Sequence, residues 1–218
     1  IEWQDHENRS SGCSELMHRL KPQTPWNRIV TKTAPVTRPC SLNRVKRSLG
    51  LDNVNDFDTT LQELIGSAAV AVQNDLGRCL TTTTFTLHLQ KWPGREIQLP
   101  YPPLISVGSV KYYGQATETL DTFSSGSYTV SIGGEPGILW LNENADWPDL
   151  MDRPNPIEIE FTCGFGADRD DVPETIQAAV AMTAAYWFDQ PIPVVMSAAT
   201  ELPLSVSRLI DSERFTRY

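Results

Sequence analysis

The sequence predicts an α+β fold: a helical layer from two sequence-distant helices, an antiparallel β region inserted between them, and extended N- and C-terminal arms. Three observations predict it. Residues 58–77 carry one apolar stripe at helical period, residues 172–189 carry another, and between them, over 81–163, the apolar period drops to two. In the first stripe Leu61, Leu64, Ile65, Ala68, Val72 and Leu76 fall at i, i+3, i+4, i+7, i+11 and i+15. Asp58 is placed to cap its start. Gly77 is placed to close it in the left-handed conformation, with Arg78 near the negative pole of the helix dipole. Alanines 68, 69 and 71 keep one flank thin enough for a second helix to approach.

Taken in order, residues 1–38 are polar, rich in proline and without sustained periodicity, and read as an extended arm. Trp3 and Trp26 are its anchors, either on a neighbouring molecule or on the parent domain. A short helix follows at 41–49, capped by Ser41, with Leu42, Val45 and Leu49 on one face and Gly50 ending it.

From Thr81, Phe85, Leu87 and Leu89 alternate with Thr84, Thr86 and His88. Pro93-Gly94 marks a turn, and Ile97 and Leu99 alternate with Glu96 and Gln98. Pro100, Pro102 and Pro103 stop that strand, because proline has no donor for a ladder. The third strand is 105–113, with Val107, Val110 and Tyr112 as core contacts and Gly108 marking a bulge. After a polar connection over 117–127, Tyr128, Val130 and Ile132 form a strand that Gly133-Gly134 returns into 138–141, the best hairpin signal in the chain. The loop 142–155 holds Trp147-Pro148. Ile157, Ile159, Phe161 and Cys163 then alternate with Glu158, Glu160 and Thr162, a strand with one buried face.

The loop 164–170 leads to the second main helix. Asp171 with Glu174 forms a capping box there, and Pro173 is tolerated in the first turn. Ile176, Val180, Thr183 and Trp187 make its stripe, and Pro191 and Pro193 end it. The domain reading is an arm at 1–38, a core at 39–190 and a tail at 191–218. The tail contains a short helix-like piece with Leu204, Leu209 and Ile210.

Composition limits the function. A chain of 218 residues buries roughly 70% of its unfolded surface on folding and needs neither disulfides nor a metal. The net charge of −9 argues against broad binding to nucleic-acid phosphates, which takes clustered Lys and Arg. Cys13, Cys40, Cys79 and Cys163 show no CxxC spacing and read as free thiols of a reducing compartment. No apolar run approaches the ~18 residues of a membrane span. The acidic amino end, with Glu2, Asp5 and Glu7, is not a secretory signal.

The search for chemistry is mostly negative. His6 and His18 lie in the arm and His88 on the polar side of a strand, so no histidine triad or metal centre assembles readily. Cys163 lacks a histidine partner and reads as a small buried side chain. Asp168, Asp170, Asp171 and Glu174 cluster as calcium ligands do, without the twelve-residue loop spacing, and two of them already have a capping role. Gly164-Phe165-Gly166 lacks the pattern of a phosphate loop. We read no cofactor and no metal from this chain.

Several stretches together resemble one family. Residues 102–112, Pro-Pro-Leu-Ile-Ser-Val-Gly-Ser-Val-Lys-Tyr, are similar to the central strand of the head–tail connector proteins of tailed bacteriophages, a family also found in gene transfer agents. Gly134-Glu135-Pro136-Gly137 and Trp147-Pro148 fit the hairpin and loop that follow there. Phe161-Thr162-Cys163-Gly164-Phe165-Gly166 and then Asp171-Val172-Pro173-Glu174-Thr175-Ile176 resemble its strand–loop–helix junction. The match runs over residues 36–190.

The resemblance implies a structural virion protein, not an enzyme. Such connectors (portal adaptors, or head-completion proteins) form a ring of about twelve copies beneath the portal, each copy meeting the next through unlike faces. They extend the DNA channel without sequence-specific binding and give tail, tail-terminator or stopper proteins a seat. The implied location is the virion neck, after assembly in the bacterial host cytoplasm and with no membrane partner. On this reading the tail docks on the portal, with Leu204, Val206, Leu209 and Ile210 as apolar anchors and Arg208, Arg214 and Arg217 as charge partners. The alternative for the tail is that it folds back on its own domain. The alternatives for the protein are another neck component, a stopper or tail-completion protein, or a β-rich glycan-binding or enzymatic module using its six tryptophans and six tyrosines.

Overall fold

The computed structural model describes residues 26–33, 35–115, 119–189 and 203–215. It is a mixed α+β chain with two cores. The helical elements are α1 (Leu42–Leu49), α2 (Asp58–Leu76), α3 (Glu174–Asp189) and α4 (Leu204–Leu209). The strands are β1 (Trp26–Thr33), β2 (Thr83–Leu89), β3 (Glu96–Leu99), β4 (Leu104–Tyr113), β5 (Leu120–Thr122), β6 (Tyr128–Ser131), β7 (Gly137–Leu141) and β8 (Ile157–Cys163). They form a five-stranded sheet, β1-β2-β8-β4-β5, and a three-stranded sheet, β3-β7-β6, both antiparallel throughout.

The two distant helices do meet. Leu61, Ile65, Ala68, Val72 and Leu76 of α2 share one buried cluster with Ile176, Ala179, Val180 and Ala184 of α3. Phe57 and Phe188 close one end of the pair edge to face, with ring centroids 5.4 Å apart. Ser41 caps α1 by accepting from the Arg44 amide at 3.2 Å, and Gly50 ends it in the left-handed conformation. Gly77 ends α2 the same way, at φ 65°.

Two caps differ from the sequence reading. Phe57, not Asp58, occupies the N-cap of α2 and offers no side-chain bond. Asp58 is the first helical residue, and its carboxylate accepts from the buried Lys46 ammonium at 2.8 Å. A buried cation competes for that carboxylate more strongly than a first-turn amide does. Before α3, the capping box is formed by Asp168 and Asp171 around the 3₁₀ turn Arg169–Asp171, not by Asp171 and Glu174. Glu174 instead pairs with Arg44 at 2.7 Å and so ties α3 to α1.

The β region has its own core. Strands β2 and β8 bury every second residue, so Phe85, Leu87 and Leu89 meet Ile157, Ile159, Phe161 and Cys163 on one face. Gly108 sits where the register of β4 against β8 shifts, between Val107 and Ser109. The hairpin β6–β7 pairs Tyr128 with Leu141 and Val130 with Leu139. Two strands were not expected. Residues 26–33, read as arm, form β1 and extend the large sheet through the edge of β2. The three residues of β5 pair with the end of β4 inside the stretch read as a polar connection.

How the insertion joins the helices is visible at its two ends. The Phe165 amide donates to the Leu80 carbonyl at 3.2 Å, and the Thr82 amide to the Gly166 carbonyl at 2.9 Å. The chain therefore enters and leaves the β region at one place. Gly164 lies there with φ 128°, and an added Cβ would stand 2.6 Å from the Thr81 carbonyl carbon. Only glycine satisfies both that conformation and that approach.

Candidate functional site

Among the described residues no group of three or more His, Cys, Asp or Glu is placed to hold a metal ion, and no helix is long and apolar enough to cross a membrane. Asp168 and Asp171 satisfy one another's turn, as the Asp171 carboxylate accepts from the Asp168 amide at 2.9 Å. Cys163 and Cys79 are both buried in the β core. Contact with Cys79, and then burial, push the Cys163 thiol well above its ordinary value. A thiol held protonated in this way is no nucleophile.

Titratable groups gather on the polar face of the large sheet. Lys32 on β1 pairs with Glu160 on β8. His88 Nδ1 on β2 lies 3.9 Å from Glu158 Oε1, and Lys111 on β4 stands opposite Glu158 in register. Thr86 and Ser109 complete a shallow cavity of about 280 Å³. Each carboxylate there has a cation beside it, so the face is a compensated charge ladder across four strands.

Of the residues that suggested a stacking platform, Trp92 and Trp147 are engaged with one another, whereas Trp140 is 48% exposed. Trp92 and Trp147 stack at 4.1 Å and 7°, and Phe123 leans on Trp147 at 5.0 Å. Both indole N–H groups donate to backbone, Trp92 to Pro148 at 3.0 Å and Trp147 to Gly94 at 2.6 Å. The cluster binds the loop 142–155 to the start of the small sheet.

Residues 203–215 of the tail pack against the helical layer. Val206 and Ile210 of the anticipated docking set are fully buried in the chain's own helical core. The Phe215 amide donates to the Leu76 carbonyl at 2.9 Å, which satisfies one of the open carbonyls at the end of α2. Arg214 bonds Asp75 at 2.7 Å, and that hydrogen bond holds its guanidinium pKa above the ordinary value. Arg78 joins the tail to the β region: its Nε donates to the Glu213 carbonyl, and its two terminal nitrogens grip both oxygens of Glu135, all at 2.5 Å. Arg214 therefore serves an internal contact. Leu204 is 79% exposed, Leu209 is 37% exposed, and Arg208 is exposed as well. Arg217 lies outside the described residues.

A second surface was not legible in the sequence as a site. The side of α3 that faces away from α2 presents Ala178, Met182, Ala185 and Tyr186, and with α1 and α4 it borders a groove of about 390 Å³. The signal available was the composition of α3: no charged residue lies between Glu174 and Asp189.

The arrangement is a two-helix layer bearing a β insertion, with exposed apolar positions on the helices. No protein-family model matches the chain, and no curated protein does. Solved structures do. A chain in the neck of an empty gene transfer agent (GTA) particle, computed with C6 symmetry, superposes with a TM-score of 0.73 at 20% identity, over 88% of this chain and 97% of that one. A chain of the virion of a native GTA particle gives 0.70 at 22% identity, over 87% and 96%. A chain in the neck of a native GTA particle, computed with C12 symmetry, gives 0.63 at 21%, over 88% and 97%. The chain shares the fold of these neck and virion components across nearly their whole length. This agrees with the connector resemblance read from the sequence.

Proposed function

We propose that this protein is a structural component of a virion neck, a head–tail connector that forms a ring under the portal, extends the DNA channel and seats tail, tail-terminator or stopper proteins. The observation that carries the reading is the fold shared over 97% of a GTA neck chain, in particles computed with C6 and C12 symmetry. The charged sheet face is internally compensated, which suits a scaffold better than a reaction centre.

The tail remains the candidate portal contact, with a smaller set of residues. Leu204, Arg208 and Leu209 face outward and are the groups offered to a partner. Val206, Ile210 and Arg214 hold their short helix in position. A net charge of −9 suits a wall past which DNA slides without sticking, because like charge repels phosphate.

The test is native mass spectrometry and negative-stain imaging of the purified chain mixed with its cognate portal. A ring seated on the portal is expected. A portal that stays bare, with the chain monomeric beside it, rejects the reading. Replacing Leu204 and Leu209 by serine should weaken portal capture while leaving the far-UV spectrum unchanged. Undiminished capture would remove the tail from the contact.

A further inference from the structure

Helix α3 is apolar on every side. Its inner side, with Ile176, Ala179, Val180 and Thr183, is buried against α2 and its neighbours. Its outer side leaves Met182 44% and Tyr186 40% exposed over the groove between α1 and α4. A helix apolar all round is one that is covered all round where it works.

The other helix of the layer has an outer side too. At about 100° per residue, Gly66, Val70 and Gln73 fall opposite Leu61, Ile65, Ala68 and Val72 on α2. Val70 is 57% exposed there, with Gly66 and Ala69 beside it, at the edge of a second cleft of about 430 Å³. Because α2 and α3 bury their inner sides on one another, their outer sides face away from each other. Two unlike surfaces on opposite sides of one molecule are what a head-to-tail ring contact requires.

Charge selects the partner. Helix α1, which banks the α3 groove, holds Arg44, Lys46 and Arg47 and no acid. Helix α2 holds Asp58, Glu63 and Asp75 and no base. Inside the chain Lys46 pairs with Asp58, Arg44 with Glu174 and Asp75 with Arg214. Arg47 and Glu63 are the exposed members of the two sets; α1 gives Arg44 and Ser48 to the groove lining, with Arg47 outside it, and Arg38 lies over Gly66 on the α2 side.

We propose that the groove on the outer side of α3 seats the outer side of α2 from a second copy of this chain, with Val70 entering between Met182 and Tyr186 and Glu63 facing Arg47. The proposal rests on the ring reading above and names the surfaces that close the ring.

Disulfide trapping tests it, with Val70→Cys and Met182→Cys in a Cys13→Ser background; Cys40, Cys79 and Cys163 are buried. On the portal, mild oxidation of the double variant should give a ladder of covalent multimers up to the full ring, and neither single variant should. Met182→Cys alone should react with a maleimide in the free chain and be protected in the ring. Rings visible by negative stain without a ladder overturn the surface assignment and leave the ring reading standing. Protection of Met182→Cys already in the free chain overturns it as well, since the groove would then be filled by the chain itself. Absence of any ring for the unaltered chain overturns both. Glu63→Lys should lower ring assembly about tenfold per contact through like-charge juxtaposition with Arg47. Adding Arg47→Glu should restore it, and failure to restore counts against the pairing.

Discussion

The helical half and the β half of this chain solve burial in opposite ways. Strands β2 and β8 alternate strictly, one residue in and one residue out, and their outward residues are threonines and compensated charges. Helix α3 does not alternate at all. It buries Ile176 and Val180 inward yet turns Met182 and Tyr186 outward. A surface finished with paired charge is finished as a monomer. A surface finished with methionine, alanine and tyrosine is completed by something else. The contrast is one of degree, since Ile132 and Trp140 of the β half are exposed as well, and it underlies the proposal that the helices carry the contact between copies.

That division can be broken most directly at the β core. Phe161 is fully buried and stacks on Phe85 at 5.8 Å. Phe161→Ala should cost about 3–5 kcal/mol, read as a lowered denaturant midpoint. If the halves are mechanically one, the near-UV and far-UV transitions fall together. If the far-UV signal of α2 and α3 persists after the β signal is lost, the junction at Leu80 and Phe165 does not couple them.

A comparable change in the helical half is Asp58→Ala, which strands the Lys46 ammonium beside Asn55 alone. The exposed edge of the pair lessens the loss, and about 2–3 kcal/mol is expected. Chemical denaturation measures it, and adding Lys46→Met should recover much of it. A smaller effect comes from Ser41→Ala, which removes the cap of α1 and should cost about 1 kcal/mol. Since α1 banks the α3 groove, that variant should also lose ring yield. A β-half variant of equal stability should keep it.

The smallest effect concerns alkaline pH. In the folded chain Cys163 holds its proton well past the ordinary value of 9.0, through Cys79 and burial. Its contribution to stability is therefore complete below about pH 9 and falls as pH rises above that value, where the unfolded thiol ionises and the folded one does not. Cys79 is shifted the other way by its hydrogen bond to Cys163 and offsets part of this, so the decline of the urea midpoint from pH 8 to 10 should be small and should be lost in Cys163→Ala. Iodoacetamide at pH 8 should leave both Cys79 and Cys163 unmodified until the chain unfolds.

Much of the fold was legible because period is a local property. The stripe of α2, the alternation of β8 and the β6–β7 hairpin were each readable from one short continuous stretch of the chain. The strand β1 was not, because residues 26–33 carry no clean alternation and become a strand through the free edge of β2. The caps were misread where a distant group competed: Asp58 answers to Lys46, and Glu174 to Arg44. The tail shows the same limit. Its apolar positions were visible in the sequence, but whether each faced inward or outward was not. Val206 and Ile210 went into the core, and Leu204 and Leu209 stayed out.

By itself the sequence determined the elements, their order and the apolar character of each face, since these follow from side-chain chemistry at fixed backbone periods. The tertiary structure decided which apolar faces found each other. That choice depends on contacts between residues far apart in the chain, such as Leu80 with Phe165 and Leu76 with Phe215, and no local pattern encodes such pairs. What it left uncovered, along α3 and on α2 at Val70, is the pair of surfaces proposed to meet between copies.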